Sequence, residues 1–282
     1  MSLINLNKQH IAPQILLRAW PFPRGAGRIV DRLLSNTKFT DSVCEVKTTD
    51  GFAMSVMPND LIGRHIYLIG EFDRTNVEVI LKHAKPGDTL LDIGANIGYV
   101  SACFLANVGA SRVIAVEPQS LVVDLLSKNL SQFGARARVA PVAISDEDRA
   151  GFMSIDEANR GGNRLVSGED GKTQRVEVWS ASHLVDAFSL DKIDLVKIDV
   201  EGHEETVFKA LSPVIDKFKP RMILFETTGD AAAPDGAIGQ ILKTSKYNVF
   251  GIKKGLTRVQ FPPILSSADC KFNDYVALPD NH

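Results

Sequence analysis

Carboxylates and glycines in one short stretch of the chain form a pattern that can bind a small charged ligand. In TLLDIGANIGYV, residues 89–100, an apolar run ends at Asp92, and Gly94, Asn96 and Gly98 follow before a second apolar run. Such a pattern is typical of a buried strand, a tight turn and the start of a helix. Gly94 would let a ligand approach the main chain, and Gly98 would let the helix pack close to the strand. We therefore expect a ligand-binding turn here.

The residues of this turn distinguish between two classes of ligand. Dinucleotide-binding turns use a Gly-x-Gly-x-x-Gly pattern, which brings pyrophosphate to the free amides at a helix N-terminus. This chain has Asn96 where that pattern needs the freedom of glycine, and the Asp92 carboxylate beside the turn is unsuited to pyrophosphate. The turn therefore favours a cationic ligand, such as an amino-acid ammonium or a sulfonium, over a nicotinamide dinucleotide.

A second carboxylate ends the next predicted strand. This strand is RVIAVEP, residues 112–118, in which Glu117 lies at the carboxyl end and Pro118 stops the strand. A lone glutamate at a strand end is usually a surface residue. At this distance from the glycine turn, however, an acidic residue hydrogen-bonds ribose hydroxyls in Rossmann-like sites. We therefore expect Glu117 to bind a ribose.

A third polar group lies in KIDLVKIDVEGHEETVF, residues 192–208, where a strand ends at Asp199 and His203 stands at a helix start. Glu226 ends the following strand. Because ligands bind outside the carboxyl ends of strands in an open α/β sheet, we expect these three side chains to meet in one crevice. His203, which titrates near neutrality, is the expected base, with one carboxylate orienting its ring. The two acids could instead hold a divalent ion, but no tight metal-ligand spacing indicates one.

The chain before these motifs is predicted to form an extension. Residues 1–40 mix apolar and basic side chains, and Pro21 and Pro23 divide them into two short helical pieces. These pieces are expected to cap the domain, with a lid over the substrate pocket or a dimer contact as alternatives. From Cys44 to Leu68, apolar and polar residues alternate around a Thr-Asp-Gly turn, which predicts a hairpin. A helix then leads to the turn at Pro86.

The rest of the chain continues the alternation of strands and helices. RVAPVAIS, residues 138–145, predicts a third strand, and FMSI, residues 152–155, predicts another. Residues 157–174 are polar and rich in glycine, which is typical of a mobile surface loop. YNVFG and NDYVALP, residues 247–251 and 273–279, supply the last two strands.

Composition excludes several classes of protein. The chain has 282 residues, 44% of them hydrophobic and 23% charged, as expected of a globular protein with a full core. Its net charge of −2 argues against a dedicated nucleic-acid surface. The three cysteines are far apart and lack metal spacing, which suits reduced thiols in the cytoplasm. Neither a signal peptide nor a membrane-spanning apolar run is recognised.

The motifs DIGANIGY, VAISDEDRAG and KIDVEGHE resemble those of the FkbM family of S-adenosylmethionine-dependent methyltransferases. The resemblance covers roughly residues 70–226 and continues weakly at NDYVALP. It implies a three-layer α/β, Rossmann-like methyltransferase fold with a mostly parallel seven-stranded sheet that ends in an antiparallel pair. The methyltransferase domain would then comprise residues 71–282, and residues 1–70 would form a helical and hairpin extension.

The resemblance also implies roles for individual residues. Val142 and Ala143 correspond to the wall of the adenine pocket, Glu71 to a glutamate that faces the cofactor or substrate, and Asn163 to a recurring asparagine. VWSASHLVDAF, residues 178–188, departs from the family, which usually has a Leu-Asp pair there. The predicted cofactor-binding residues are Glu71, Asp92, Gly94, Ala95, Asn96, Gly98, Glu117, Pro118, Val142, Ala143 and Asp199, and the predicted catalytic residues are His203, Asp199 and Glu226.

The implied activity is methyl transfer from S-adenosylmethionine to a hydroxyl of a sugar, glycan or natural product. A divalent metal is compatible with this activity but is not indicated. The alternatives are a non-catalytic methyltransferase-like binding domain and, less favoured, a nicotinamide-dependent oxidoreductase. The expected partner is a small-molecule or glycan acceptor, without nucleic acid or a membrane span, and a homodimer is left open.

Overall fold

The chain folds around one seven-stranded sheet, in a computed structural model that describes residues 11–22, 25–34, 37, 39–155, 165–166, 168 and 173–280. The strands are β1 (Cys44–Lys47), β2 (Ala53–Val56), β3 (Thr89–Ile93), β4 (Arg112–Val116), β5 (Ala137–Ala140), β6 (Val142–Ser145), β7 (Arg149–Ser154), β8 (Leu165–Val166), β9 (Thr173–Ser180), β10 (Leu195–Ile198), β11 (Met222–Glu226), β12 (Tyr247–Gly251), β13 (Lys253–Lys254), β14 (Val259–Gln260) and β15 (Asp274–Pro279). The helices are α1 (Ile11–Arg18), α2 (Ala26–Leu34), α3 (Leu61–Ile69), α4 (Arg74–His83), α5 (Tyr99–Asn107), α6 (Ser120–Leu130), α7 (Ala181–Ala187), α8 (Glu204–Phe218) and α9 (Ala237–Thr244). None of these described helices has the length and hydrophobicity needed to cross a membrane.

The large sheet has the strand order β12-β15-β11-β10-β3-β4-β5. Strands β11, β10, β3, β4 and β5 are parallel, and β15 runs antiparallel to both of its neighbours. In β3, Leu90 belongs to a core cluster with residues of α4, α5 and α6, whereas Leu91 belongs to a second cluster with residues of α7, α8 and α9. The predicted three-layer α/β fold, with its final antiparallel pair, is therefore confirmed.

The parallel strands read as continuous apolar runs because helices cover both of their faces. All five residues of β3 are buried, and so are all four of β10. Since these strands are parallel, their carboxyl ends meet at one edge of the sheet. Glu117 follows β4, Asp199 follows β10, and Glu226 is the last residue of β11. The fold therefore brings these three carboxylates to the same edge of the sheet.

Two helices, α1 and α2, lie in the described part of residues 1–40, where the sequence predicts two helical pieces. Strands β1 and β2 form the predicted hairpin around Asp50. The predicted alternation up to Leu68 is wrong in its last part, because residues 61–69 form helix α3. The Asp60 carboxylate caps this helix by accepting hydrogen bonds from the Ile62 and Gly63 amides, and Gly70 ends it.

The predicted third strand is in fact two strands in two sheets. Pro141 lacks an amide proton and separates β5, at the edge of the large sheet, from β6. Strand β6 belongs to a second, four-stranded sheet of order β6-β9-β7-β8. Within the predicted loop of residues 157–174, Leu165–Val166 form β8 and β9 begins at Thr173. Asn163 lies outside the described residues, as does most of that loop.

The hairpin is held to the domain by the side chain of Asn129, near the end of α6. Its amide donates to the main-chain oxygens of Ser55, at 3.0 Å, and Ile97, at 2.8 Å. Its carbonyl oxygen accepts from the Ser55 amide at 2.7 Å. One buried side chain thus joins β2 to the turn that follows β3. The predicted domain boundary at residue 70 stays a prediction.

Replacing Asn129 with alanine should lower the free energy of unfolding by about 1–3 kcal/mol, because the buried polar groups of Ser55 would lose their partner. Urea denaturation followed by circular dichroism measures this change. Ser131→Ala is the control, since the exposed Ser131 hydroxyl only donates to the nearby Lys128 carbonyl. Equal effects of the two substitutions would show that Asn129 does not anchor the hairpin.

Candidate functional site

A cavity of about 280 Å³, here called the first cavity, opens at the carboxyl ends of the parallel strands. Most of the residues predicted to bind a cofactor line it, and so do all three predicted catalytic residues. These lining residues are Gly94, Asn96, Glu117, Pro118, Val142, Ala143, Asp199, His203 and Glu226. The structure therefore gathers residues from motifs more than 100 positions apart in the sequence into one pocket.

Four of the predicted binding residues do not line the first cavity. Asp92 is fully buried and accepts a hydrogen bond from the Ser101 hydroxyl at 2.6 Å. Ala95 is buried, and Glu71 lies in a neighbouring cavity described below. Gly98 caps α5, where a Cβ atom would come within 2.7 Å of a methyl group of Leu126 in α6. The close packing expected at Gly98 is therefore against α6, and the binding roles of all four residues stay predictions.

Glu117 is held rigidly at the wall of the first cavity. One carboxylate oxygen accepts from the Asn96 amide and the other from the Gln119 amide, both at 3.1 Å. A carboxylate has about four acceptor positions, so each oxygen can accept a further hydrogen bond. Burial raises the pKa of Glu117 to about 7, although the two amides act in the opposite direction. This geometry is compatible with a ligand that has two neighbouring hydroxyl groups, and the ribose-binding role of Glu117 stays a prediction.

Gly94 brings two strand ends together. Its φ angle is +78°, and a Cβ atom there would lie 1.7 Å from the main-chain oxygen of Asp199. A side chain at this position is therefore excluded by the protein's own main chain. The sequence interpretation attributed this glycine to the approach of a ligand, whereas the structure shows that the end of β10 makes the closest approach.

Lys197, which the sequence interpretation missed, joins the two chemical motifs. Its buried ammonium group lies 3.2 Å from Asp199 and 3.5 Å from Asp92, and it donates to the Gly94 carbonyl at 3.2 Å. Burial alone would lower the pKa of Lys197, but the carboxylates of Asp199 and Asp92 outweigh burial and raise it. The sequence signal for this role was a lysine inside the apolar run LVKI. A lysine in a buried strand needs a negatively charged partner, and this indicates an ion pair.

His203 lines the first cavity, and one of its ring nitrogens has no partner among the described residues. It precedes α8, and its Nε2 atom is buried without a hydrogen-bond partner among the described residues. Burial lowers the pKa of His203, the Arg149 charge acts in the same direction, and the Asp146 charge opposes them. In the described part of the chain, no hydrogen bond is seen between this ring and Asp199 or Glu226, and the expected orientation of the ring by a carboxylate stays a prediction.

A second cavity, of about 380 Å³, adjoins the first and shares Phe72, Asp199 and Glu226 with it. Its walls include residues 25–28 before and in α2, His65 of α3 and the segment 71–75. Burial, followed by the charges of Asp199 and Asp274, raises the pKa of Glu226 to about 8. Local sequence patterns could not identify this cavity because its walls come from distant parts of the chain.

We also searched the described residues for a group of side chains that could bind a metal ion. Within the described ranges, no three His, Cys, Asp or Glu side chains are arranged to hold a metal ion. Whether the activity depends on a metal therefore stays untested.

Comparisons with known proteins identify relatives over parts of the chain. The methyltransferase FkbM domain matches residues 92–250, more than half of the chain. The hexuronic acid methyltransferase AglP of Haloferax volcanii is 30% identical over 138 residues, which cover 48% of this chain and 55% of AglP. The AMB antimetabolite synthetase AmbE of Pseudomonas aeruginosa is 24% identical over 227 aligned positions, covering 60% of this chain and 11% of AmbE. The chain thus spans only part of each of these curated relatives.

One solved structure with some likeness is that of methyltransferase FkbM from Methylobacillus flagellatus. It has a TM-score of 0.44 and 14% sequence identity, over 69% of this chain and 44% of that chain. The assignment to a family therefore depends on the match of the domain to residues 92–250.

Replacing Lys197 with methionine should lower the free energy of unfolding by about 3–5 kcal/mol, because Asp92 and Asp199 would lose their buried counter-charge. Lys192→Met is the matched control. Lys192 pairs with Asp194 at 3.2 Å, but 40% of its side chain is exposed, so its loss should cost no more than about 1 kcal/mol. Chemical denaturation of both variants measures the difference, and similar losses would contradict a central role for Lys197.

Proposed function

Because the chain belongs to the FkbM methyltransferase family, we propose that it transfers a methyl group from S-adenosylmethionine to a hydroxyl of a sugar, glycan or natural product. The observation that carries the proposal is the junction of two cavities at Asp199 and Glu226. The first cavity has the walls that a methyl donor needs, and the second is polar, as an acceptor with several hydroxyls requires. The name of AglP, a hexuronic acid methyltransferase, supports an acceptor of this kind.

The side chains of the first cavity match the parts of S-adenosylmethionine. Val142, Ala143 and Ile144 form an apolar wall suited to adenine, and Glu117 has acceptor positions for two ribose hydroxyls. The Asp199 carboxylate would lie near the positively charged part of the ligand, where opposite charge is favourable. When bound, S-adenosylmethionine supplies an activated methyl group on a sulfonium.

We assign proton removal from the acceptor to Glu226. A hydroxyl is a weak nucleophile until its proton leaves, so a positioned base accelerates its reaction. Glu226 lines both cavities, and no hydrogen bond or ion pair to a described residue occupies its carboxylate. Asp199 also lines both cavities, but Lys197 engages it at 3.2 Å. His203, which the sequence favoured as the base, lines the first cavity but not the second.

The remaining task of the protein is alignment. The walls of the two cavities would hold the donor and the acceptor on either side of Glu226 and Asp199. The reaction between two ligands would then proceed in one fixed orientation, as an effectively unimolecular step. We also propose a cytoplasmic location, which suits the free state of all three cysteines.

The protein should bind S-adenosylmethionine and S-adenosylhomocysteine but not NAD, as measured by isothermal titration calorimetry. Glu117→Ala should weaken the binding of S-adenosylhomocysteine by about 1–3 kcal/mol, because the ribose hydroxyls would lose their acceptor. Glu205→Ala, an exposed glutamate of α8, is the control and should bind normally. Binding of NAD without S-adenosylhomocysteine would instead support an oxidoreductase.

Glu226→Gln should lower turnover by roughly 10²–10⁴-fold and leave the affinity for S-adenosylhomocysteine nearly unchanged, because only proton removal is lost. In the unmodified protein the ionised base becomes more abundant as the pH rises, so the rate should rise with pH, be half-maximal near pH 8 and level off above it. The measurement uses an acceptor found in a broad panel of sugars and natural-product alcohols.

His203→Ala provides the comparison for this experiment. A larger loss of turnover in this variant than in Glu226→Gln would return the role of base to His203. Donor binding with no turnover on the whole panel would favour the alternative of a non-catalytic binding domain.

A further inference from the structure

The charged side chains of the second cavity are mostly acidic. Its carboxylates are those of Asp31, Glu71, Asp73, Asp199, Glu226 and Asp274. The basic side chains that line it are Arg28, Arg74, Lys254 and, when protonated, His65. An acceptor that enters the second cavity therefore meets more negative than positive charge.

Most of these cations are already paired with carboxylates. Arg74 lies 3.0 Å from Asp50, and 3.5 Å from Glu78 one helical turn later. Lys254 lies 2.7 Å from Asp274 and 3.5 Å from Asp73. These pairs leave little positive charge to bind a carboxylate of an acceptor.

The two remaining basic groups do not change this balance. His65 faces the Asp31 carboxylate at 2.7 Å. Arg28 is exposed, and it has no carboxylate within ion-pair distance in the described part of the chain. A single exposed guanidinium is well screened by water and salt, so it contributes less to the field inside the cavity than buried groups do.

The excess of negative charge acts on the carboxylates themselves. Burial raises the pKa of Asp73 to about 7, with the charges of Asp274 and Asp199 acting in the same direction and Lys254 opposing them. Burial also raises the pKa of Glu71. These groups are poorly solvated, so a ligand that brings positive charge would stabilise their ionised forms.

We propose that the second cavity selects acceptors that are uncharged or carry an ammonium group and disfavours acceptors that carry a carboxylate. The inference rests on the proposed function, because it identifies this cavity as the acceptor site. A polyol with an amino group, such as an amino sugar, matches both the carboxylate lining and the need for a hydroxyl near Glu226. In this respect the chain differs from AglP, whose name specifies a hexuronic acid.

The test measures the binding of three matched probes, the methyl glycosides of glucosamine, glucose and glucuronic acid. Ligand-observed NMR titrations at pH 7.5 would be made on the full chain with and without S-adenosylhomocysteine. We expect the glucosaminide to bind at least about tenfold more tightly than the glucuronide, with the glucoside between them. This ratio should decrease as salt is added. Equal or tighter binding of the glucuronide, or no binding of any probe, would overturn the proposal.

Two variants, each of which replaces one charged residue with glutamine, provide a second test. Glu71→Gln removes a negative charge and should narrow the affinity ratio by about threefold or more, whereas Arg28→Gln removes an exposed, screened positive charge and should widen it only slightly. Arg28 lines the second cavity and not the first, so the affinity for S-adenosylhomocysteine should be unchanged in Arg28→Gln. A ratio that responds to neither variant would overturn the proposal, because the charge of the cavity would then not set the preference.

Failure of this inference can be separated from failure of the proposed function. If S-adenosylhomocysteine binds but the glucuronide is preferred, the proposed methyl transfer stands and only the acceptor class is wrong. If S-adenosylhomocysteine does not bind, the proposed function fails, and the titrations made without it still decide which charge the cavity prefers.

Discussion

The buried ammonium group of Lys197 is the interaction on which the site depends. It lies among the carboxylates of Asp92 and Asp199 and the main-chain oxygen of Gly94, and so it connects the ends of β3 and β10. Two carboxylates this close to each other would repel, and an unpaired buried charge is costly. The lysine offsets the negative charge of both carboxylates, and the absence of a side chain at Gly94 lets the two strand ends approach.

From this junction outward, burial determines the chemistry of the site. Glu117 is fixed by two amides, and the pKa of this group is raised to about 7 because water is excluded. Glu226 lies where the cavities meet, and burial together with neighbouring carboxylates raises its pKa to about 8. A carboxyl group with such a pKa can both accept and release a proton near neutral pH, which is what a general base requires.

The N-terminal extension completes the site. Its hairpin is tied to the sheet by Asn129 and by Asp50, which accepts hydrogen bonds from Arg74 at 3.0 Å and from the Tyr99 hydroxyl at 3.3 Å. Helix α3 then contributes Leu61 and Ile62 to the first cavity and His65 to the second. From the sequence, helices α1 and α2 were expected to form a cap, a lid or a dimer contact. Both precede α3 in the chain, and residues of α2 line the second cavity.

The sequence by itself determined the alternation of strands and helices around β3, β4, β10 and β11, the glycine turn after β3 and the placement of Glu117, Asp199 and Glu226 at strand ends. These features follow from short-range periodicity, glycine and proline positions and the geometry of parallel sheets. Only the tertiary structure decided that Asp92 pairs with Lys197, that Glu226 lines both cavities, and that Glu71 faces the second cavity. Such pairings join residues distant in sequence, and their energies depend on burial and on summed charge, which no local pattern encodes.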